Sequence, residues 1–435
     1  MSARRLVAPL LLALAAVTAA HVVARADGKN REEKLKDDRA RVTAAGFWIY
    51  DDYDAARKEA QRTDKPMIVA LRCIPCEHCV KLDEELVETD PRLQPLLDRF
   101  VRVRLIRTNG LDLSTFQFDT DQSSAVFLLR ADGTIYGRYG TRSASQDDGD
   151  GTSVPGLACA LEKALEIHAA WPRDREALAA KRGPKPRVAT PERYPSLKDR
   201  YGPTLAADGP QVPSCIHCHQ IGDAERTEVL KRGPLPEELF FPYPNPRALG
   251  LGLDPDTCAS VASVTPDSSA AAAGFVPGDE LLQLDGQPIL STADVQWVLH
   301  HTAARGGSLD AIVRRGEDEV KLVWKLAKGW RREDAMSWRV STWPLRQRAL
   351  GGMRLESADG ELRVKHVGRF PPHDRAKKAG IKPGDVLVSF DGEDGFTRED
   401  DVLWHAQGRA VKSRTVSVVL RRGDRRIEVD LPIGP

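Results

Sequence analysis

The sequence predicts a multidomain chain, with an α/β domain in the first half and two mainly β units in the second. Three observations lead there. The 435 residues exceed what one ordinary hydrophobic core holds. Strand-like and helix-like segments alternate from about residue 45 to residue 170. A segment of the C-terminal half repeats at an offset of 106 residues. Charged residues at 29% and apolar residues at 41% exclude a disordered tail and a polytopic membrane protein. The 64 Lys plus Arg against 63 Asp plus Glu leave a formal charge of +1. That balance lacks the basic excess of a nucleic-acid binder.

Arg4 and Arg5 precede a 15-residue apolar run, Leu6–Ala20, too short for a bilayer span and right for a signal h-region. Ala24-Arg25-Ala26 supplies small residues at the recognition positions, so residues 1–26 read as a signal peptide. The mature protein is expected in the periplasm, at the cell surface or secreted, with no membrane span. Residues 52–63 carry helical spacing and stop at Asp64-Lys65-Pro66. Met67–Leu71 reads as a buried strand, Val80–Leu86 as a helix and Phe100–Ile106 as a second strand. Ala125–Leu129 and Thr134–Tyr139 flank the turn Ala131-Asp132-Gly133, and Leu157–Ala170 is a closing helix.

Between the first strand and its helix stands Cys73-Ile74-Pro75-Cys76-Glu77-His78-Cys79, two overlapping C-x-x-C units. A strand feeding a cysteine cluster at a helix start, with a later hairpin, resembles the thioredoxin fold over about residues 45–170. The resemblance implies that Cys76 is the attacking thiolate, favoured by the helix N-terminus, and Cys79 the resolving thiol. Cys73 is an extra partner that could move the disulfide to Cys73–Cys76. The position of the family's cis-proline reads Ser124-Ala125, and the tryptophan common before the first cysteine is Pro75. An inert cluster and a Cys/Cys/His metal set stay open beside redox chemistry.

Of 29 prolines, 13 lie between Pro172 and Pro246. Residues 171–247 therefore read as an extended segment that wraps or spaces, with one helix at Ala224–Lys231. It carries Cys215-Ile216-His217-Cys218-His219, and C-x-x-C-H is the attachment signal of c-type haem. The two thiols would bind the vinyl groups and His219 would be the proximal iron ligand. A Cys/Cys/His metal site or a plain disulfide is the other reading. Cys159 and Cys258 stand alone in the sequence and are expected as buried small residues.

The repeat reads Ala273-Gly274-Phe275-Val276-Pro277-Gly278-Asp279 and Ala379-Gly380-Ile381-Lys382-Pro383-Gly384-Asp385. Asp285-Gly286 and Asp391-Gly392 follow, then Arg314-Arg315-Gly316 and Arg421-Arg422-Gly423. This pattern resembles a bacterial PDZ domain, in copies at 248–328 and 348–435. The resemblance implies capture of an extended peptide beside a strand edge and a helix. Its C-terminal carboxylate would sit on Leu249-Gly250-Leu251-Gly252-Leu253 in the first copy. In the second copy the loop is Leu350-Gly351-Gly352-Met353. The helices would be Thr292–Thr302 and Arg398–Gln407, with Trp297 and Trp404 as core residues on them. A bridge at 329–347 holds Trp330, Trp338 and Trp343 and is expected to pack the copies together.

The chain holds no G-x-S-G-G, no G-x-S-x-G, no H-E-x-x-H and no P-loop. Proteolysis and nucleotide hydrolysis are disfavoured. The reading is an exported thiol–disulfide or electron-transfer protein, delivered to partner proteins by two PDZ units and offering one covalent haem. The alternative is a scaffold without catalysis, in which the thioredoxin-like domain is structural.

Overall fold

The computed structural model describes residues 30–72, 90–122, 124–140, 152–412 and 414–434. The signal peptide, the Cys73–Cys79 cluster and the helix expected at Val80–Leu86 lie outside the described residues. A helix the sequence reading missed, Arg31–Ala45, opens the described chain. The Asn30 side chain accepts the Glu33 N–H, and the Glu33 carboxylate accepts the Asn30 N–H. Its buried Asp38 meets Arg104 at 3.1 Å, Arg72 at 3.7 Å and the Tyr50 hydroxyl at 2.9 Å.

The first domain is a five-stranded sheet of β1 (Ile49–Tyr50), β2 (Met67–Arg72), β3 (Val101–Leu105), β4 (Ser124–Leu129) and β5 (Ile135–Tyr139). The order is β1-β3-β2-β4-β5; β1, β3 and β2 run parallel, while β4 and β5 are antiparallel. The helix Tyr53–Thr63 covers one face with Ala56 and Ala60 against Met67, Val69 and Val103. The helix Val154–Ala170 covers the other with Leu157, Leu161 and Leu165 against Ile68 and Leu128. Burial on both faces explains the unbroken apolar run of β2.

The first repeat unit pairs β6 (Leu251–Leu253) with β7 (Val261–Val264). A second sheet follows, of β8 (Glu280–Leu284), β9 (Gln287–Pro288), β10 (Gly307–Arg315) and β11 (Asp318–Leu326), in order β11-β10-β8-β9. The second unit is one sheet. Its strands are β12 (Met353–Ala358), β13 (Glu361–Val367), β14 (Val386–Phe390), β15 (Glu393–Asp394), β16 (Thr415–Arg422) and β17 (Arg425–Pro432). The repeated motifs meet in space, which explains why they recur together. Arg315 binds the buried Asp279 through Nε at 2.7 Å and Nη2 at 2.8 Å and also reaches the Gly274 carbonyl. Arg422 binds Asp385 at 2.6 and 2.7 Å and reaches the Gly380 carbonyl. Each aspartate also accepts the N–H three residues back, from Val276 or Lys382.

The proline-rich segment corrects the expectation of a spacer. Tyr194, Leu197, Tyr201, Ile216 and Ile221 are buried together with Leu113 of the first domain. Leu235, Phe240 and Phe241 join the core of the second unit. Its helix runs Cys218–Leu230 and starts six residues before the predicted Ala224. Cys159 and Cys258 form a disulfide, contrary to the expectation of two unpaired residues. That bond ties the helix Val154–Ala170 to the loop after β6. Of the bridge tryptophans, Trp330 enters the first unit's core, but Trp343 is 42% exposed. Met336 and Leu345, not Trp343, carry the bridge into the second core.

Asp334 in that bridge accepts N–H groups of Asn245 at 3.3 Å and Ala335 at 3.0 Å. Burial pushes its carboxyl up to about 6, against the pull of Arg339. A raised acid binds a proton more tightly folded than unfolded. Its contribution is therefore full below about pH 4 and is lost as pH rises through 6, up to about 3 kcal/mol. In urea unfolding, stability is expected to fall less, or rise more, from pH 4.5 to pH 7 in Asp334→Asn than in the wild type.

Candidate functional site

The Cys215–His219 motif is docked on the end of the first sheet. Ile216, with no exposed surface, is clamped by three hydrogen bonds. The Thr108 N–H and Oγ1 donate to its carbonyl at 3.1 and 2.9 Å, and its N–H donates to Asn109 Oδ1 at 2.8 Å. Asn109 Nδ2 also donates to the Ser214 carbonyl at 3.0 Å. Cys215 and Cys218 are both part-buried. Cys218 opens the 13-residue helix and packs against the first domain's core. Cys215 Sγ lies 3.8 Å from the Ile106 carbonyl. Burial, then Cys218 and Asp51, push the Cys215 thiol up to about 12. The rings of His217 and His219 lie parallel, 5.9 Å apart.

This geometry bears on the haem expectation. The cavity beside Cys218 is walled by Leu71, Arg72, Ile106, Thr108 and Ile216 and holds about 10 Å³. No macrocycle fits it. A larger cavity of about 320 Å³ touches the next turns of the helix, at Ile221, Gly222 and Glu225, but is lined by neither cysteine nor by His219. Among the described residues no three His, Cys, Asp or Glu side chains converge as metal ligands. As arranged, these residues leave no room for a haem beside Cys218.

The 320 Å³ cavity is built by three modules. Phe116 and Phe118 come from the first domain, Tyr194 and Tyr243 from the proline-rich segment, and His300 from the first repeat unit. Tyr243 stacks on His300 at 4.0 Å. Burial, then His301, holds His300 well below its ordinary range, while burial raises Glu225.

The two repeat units differ at the loops predicted to hold a carboxylate. In the first, β6 pairs only with β7, so its other edge has no strand partner among the described residues. Gly250 adopts φ +86° and donates its N–H to the Arg247 carbonyl; Leu251 and Leu253 are buried. Gly252 packs so closely on Ser263 that an added Cβ would lie 2.3 Å from its Oγ. In the second unit the loop is spent internally. Leu350 and Gly352 donate to the Arg346 carbonyl, and Met353 donates to Leu350. Gly351 accepts from the Ala376 N–H. The β12 edge is capped as well: the Leu355 N–H donates to Glu399 Oε1 at 2.8 Å, and Arg346 binds both Glu399 oxygens. Three of the four backbone donors of Leu350–Met353 are therefore used within the unit.

The helix Thr292–His301 of the first unit faces the first domain. Lys181 pairs with Asp294 at 2.8 Å, both without appreciable exposure. Asp294 also accepts the Arg138 N–H, and Ser291 donates to the Arg138 carbonyl at 2.6 Å. Trp297 is a core residue, as expected, and does more. Its indole N–H donates to the Ala180 carbonyl, and the Arg138 guanidinium lies 3.5 Å over its ring. Sequence reasoning missed Lys181, Asp294 and Arg138, because each reads as an ordinary surface charge.

Comparison with known proteins matches residues 48–131 to the family described as thioredoxin-like and residues 260–306 to the family described as PDZ domain. The chain carries a thioredoxin-like domain and a PDZ domain. The PDZ match covers the first repeat unit from β7 to the end of its helix. A curated relative, a probable periplasmic serine endoprotease DegP-like from Halomonas elongata, is 26% identical over 201 residues. That stretch is 42% of this chain and 39% of the relative, so the chain spans well under half of that protein's length. A solved PDZ domain of EpsC from Vibrio cholerae is 20% identical, over 19% of this chain and 93% of its own, with a TM-score of 0.15. The thioredoxin-like domain and the PDZ domain meet through the Cys159–Cys258 disulfide, the Arg138–Asp294 hydrogen bond and the Arg138 guanidinium over Trp297.

Proposed function

We propose that this chain is an exported thiol–disulfide redox protein whose PDZ domain holds the partner on which its thioredoxin-like domain acts. The observation that carries the reading is the interface just described. A recognition module bonded covalently and by buried charges to a thiol-chemistry module fixes where a bound partner sits. Cys76 and Cys79 exchange disulfides, with Cys76 as attacking thiolate and Cys73 as an extra partner. The Cys159–Cys258 bond supports export, since disulfides persist in oxidising compartments. No helix among the described residues is long and apolar enough to cross a membrane.

We also read the second repeat unit as a PDZ copy, supported by the matching Asp279–Arg315 and Asp385–Arg422 clamps. Peptide capture falls to the first copy, whose β6 edge can accept an added strand. The second copy, with Glu399 on its edge, serves structure.

Reduction of a protein disulfide by the full chain, driven by dithiothreitol, tests the reading. Cys76→Ser with Cys79→Ser is expected to drop the rate to the uncatalysed background. An unchanged rate would favour the scaffold without catalysis.

A further inference from the structure

We propose that the cavity of about 320 Å³ between the modules binds a free α-amino acid with an aromatic or branched apolar side chain, held as a zwitterion between Glu225 and Arg187. Binding there is independent of thiol chemistry in the first domain.

Size and preformation come first. The volume lies at the small end of ligand pockets, which run from ~300 to ~1,000 Å³. At ~30 Å³ for each water displaced, it takes roughly ten non-hydrogen atoms, the size of leucine or phenylalanine. Its aromatic walls are fixed before any ligand arrives. Phe116 packs edge-on against Tyr53 and Phe127, and Phe118 packs edge-on against Phe127. Tyr243 stacks on His300. Rings held in this way form a rigid seat for an apolar side chain.

The charges of the lining then select the head group. Asp119 is matched by Arg339, and Arg226 by Asp121. Glu225 is not matched: among the described residues it accepts no hydrogen bond and forms no ion pair. Burial drives its carboxyl up, opposed through space by Arg226 and then by Arg187. A half-buried carboxylate that opens on a cavity without a partner is a seat for an ammonium group. The Tyr194 hydroxyl lies in the field of Glu225 and makes no hydrogen bond of its own among the described residues, so it offers the ammonium a second acceptor.

Arg187 lines the same cavity and stands exposed at its rim with Lys185. It is near enough to act on Glu225 and too far to bond to it. A ligand with an ammonium and a carboxylate on one carbon bridges that gap. The ammonium meets Glu225, and the carboxylate meets the Arg187 fork. A simple cation would leave both rim cations unmet, and a simple anion would face Glu225.

Calorimetric titration of the full chain with L-phenylalanine and L-leucine tests this, beside N-acetyl-L-phenylalanine and L-phenylalanine amide, which each lack one charge. The expected result is saturable binding of the free amino acids at one site per chain, with both blocked probes about tenfold weaker or worse. Glu225→Gln is expected to remove the preference for the free amine over the N-acetyl form. Arg187→Met with Lys185→Met is expected to remove the preference for the free acid over the amide. Lys185 and Arg187 are exposed and Glu225 has no bonded partner, so an unchanged unfolding midpoint in both variants shows that the fold is intact. Absence of binding by either amino acid at millimolar concentration would overturn the assignment. So would binding that ignores Glu225→Gln, or an amide held as tightly as the free acid.

Discussion

Replacing Arg339 by methionine is expected to lower stability by about 3–5 kcal/mol, the cost of breaking a buried ion pair from one side. Arg339 is where three modules meet. It reaches Asp119 at 2.5 Å and Asp121 at 3.7 Å in the loop before β4, and the Pro242 carbonyl at 2.8 Å. Asp121 also binds Arg226 of the Cys218–Leu230 helix and the N–H and hydroxyl of Ser341. Burial drives the Asp119 carboxyl up, and Arg339 counters it. Without the guanidinium, buried Asp119 loses its ion pair, while Asp121 keeps Arg226. Urea unfolding measures the loss. Removing both charges, in Arg339→Met with Asp119→Leu, is expected to recover much of it, because a paired apolar replacement leaves no orphaned charge. Equal stability of the single variant and the wild type would refute the keystone role.

Loss of the Cys159–Cys258 disulfide is the second large effect. The bond closes a loop spanning 99 residues of sequence. Chain entropy alone assigns such a loop about 4–5 kcal/mol. The Arg138–Asp294 hydrogen bond, the Lys163–Glu280 pair at 2.6 Å and the Ser153–Pro255 hydrogen bond at 2.8 Å hold the same interface without it. The docked arrangement should therefore survive in Cys159→Ala with Cys258→Ala, with a lower unfolding midpoint and faster proteolysis between the two domains. An unchanged midpoint would show that the interface needs no covalent tie.

The elements with strong periodicity were legible. β2, β3 and the β4–β5 hairpin lie within a residue or two of their predicted bounds, and the 106-residue repeat places β8 and β14 correctly. The docking was not legible, for a physical reason. Arg138, Lys181 and Asp294 look solvated in sequence and are buried only because their partners lie far along the chain. The helix starts at Cys218, ahead of the expected Ala224, and holds Gly222 in its interior. Glycine is needed there: an added Cβ would lie 2.4 Å from Thr120 Oγ1. The Arg31–Ala45 helix was missed because its buried face carries Asp38, which Arg104 neutralises. The disulfide did leave a signal. Cys159 and Cys258 are the two cysteines outside both clusters, which makes them candidates for each other. At the candidate sites the motifs were visible, but Glu399 on the β12 edge and the small space beside Cys218 are tertiary facts.

The central claim is thiol–disulfide exchange in the thioredoxin-like domain. The most direct measurement is a redox titration of the full chain in poised dithiothreitol buffers, with alkylation and mass mapping of every cysteine. The account predicts that Cys76 and Cys79 pass together between dithiol and disulfide, while Cys159–Cys258 stays closed until stronger reductant is added. Cys76 and Cys79 fixed in one state across the whole range would contradict it.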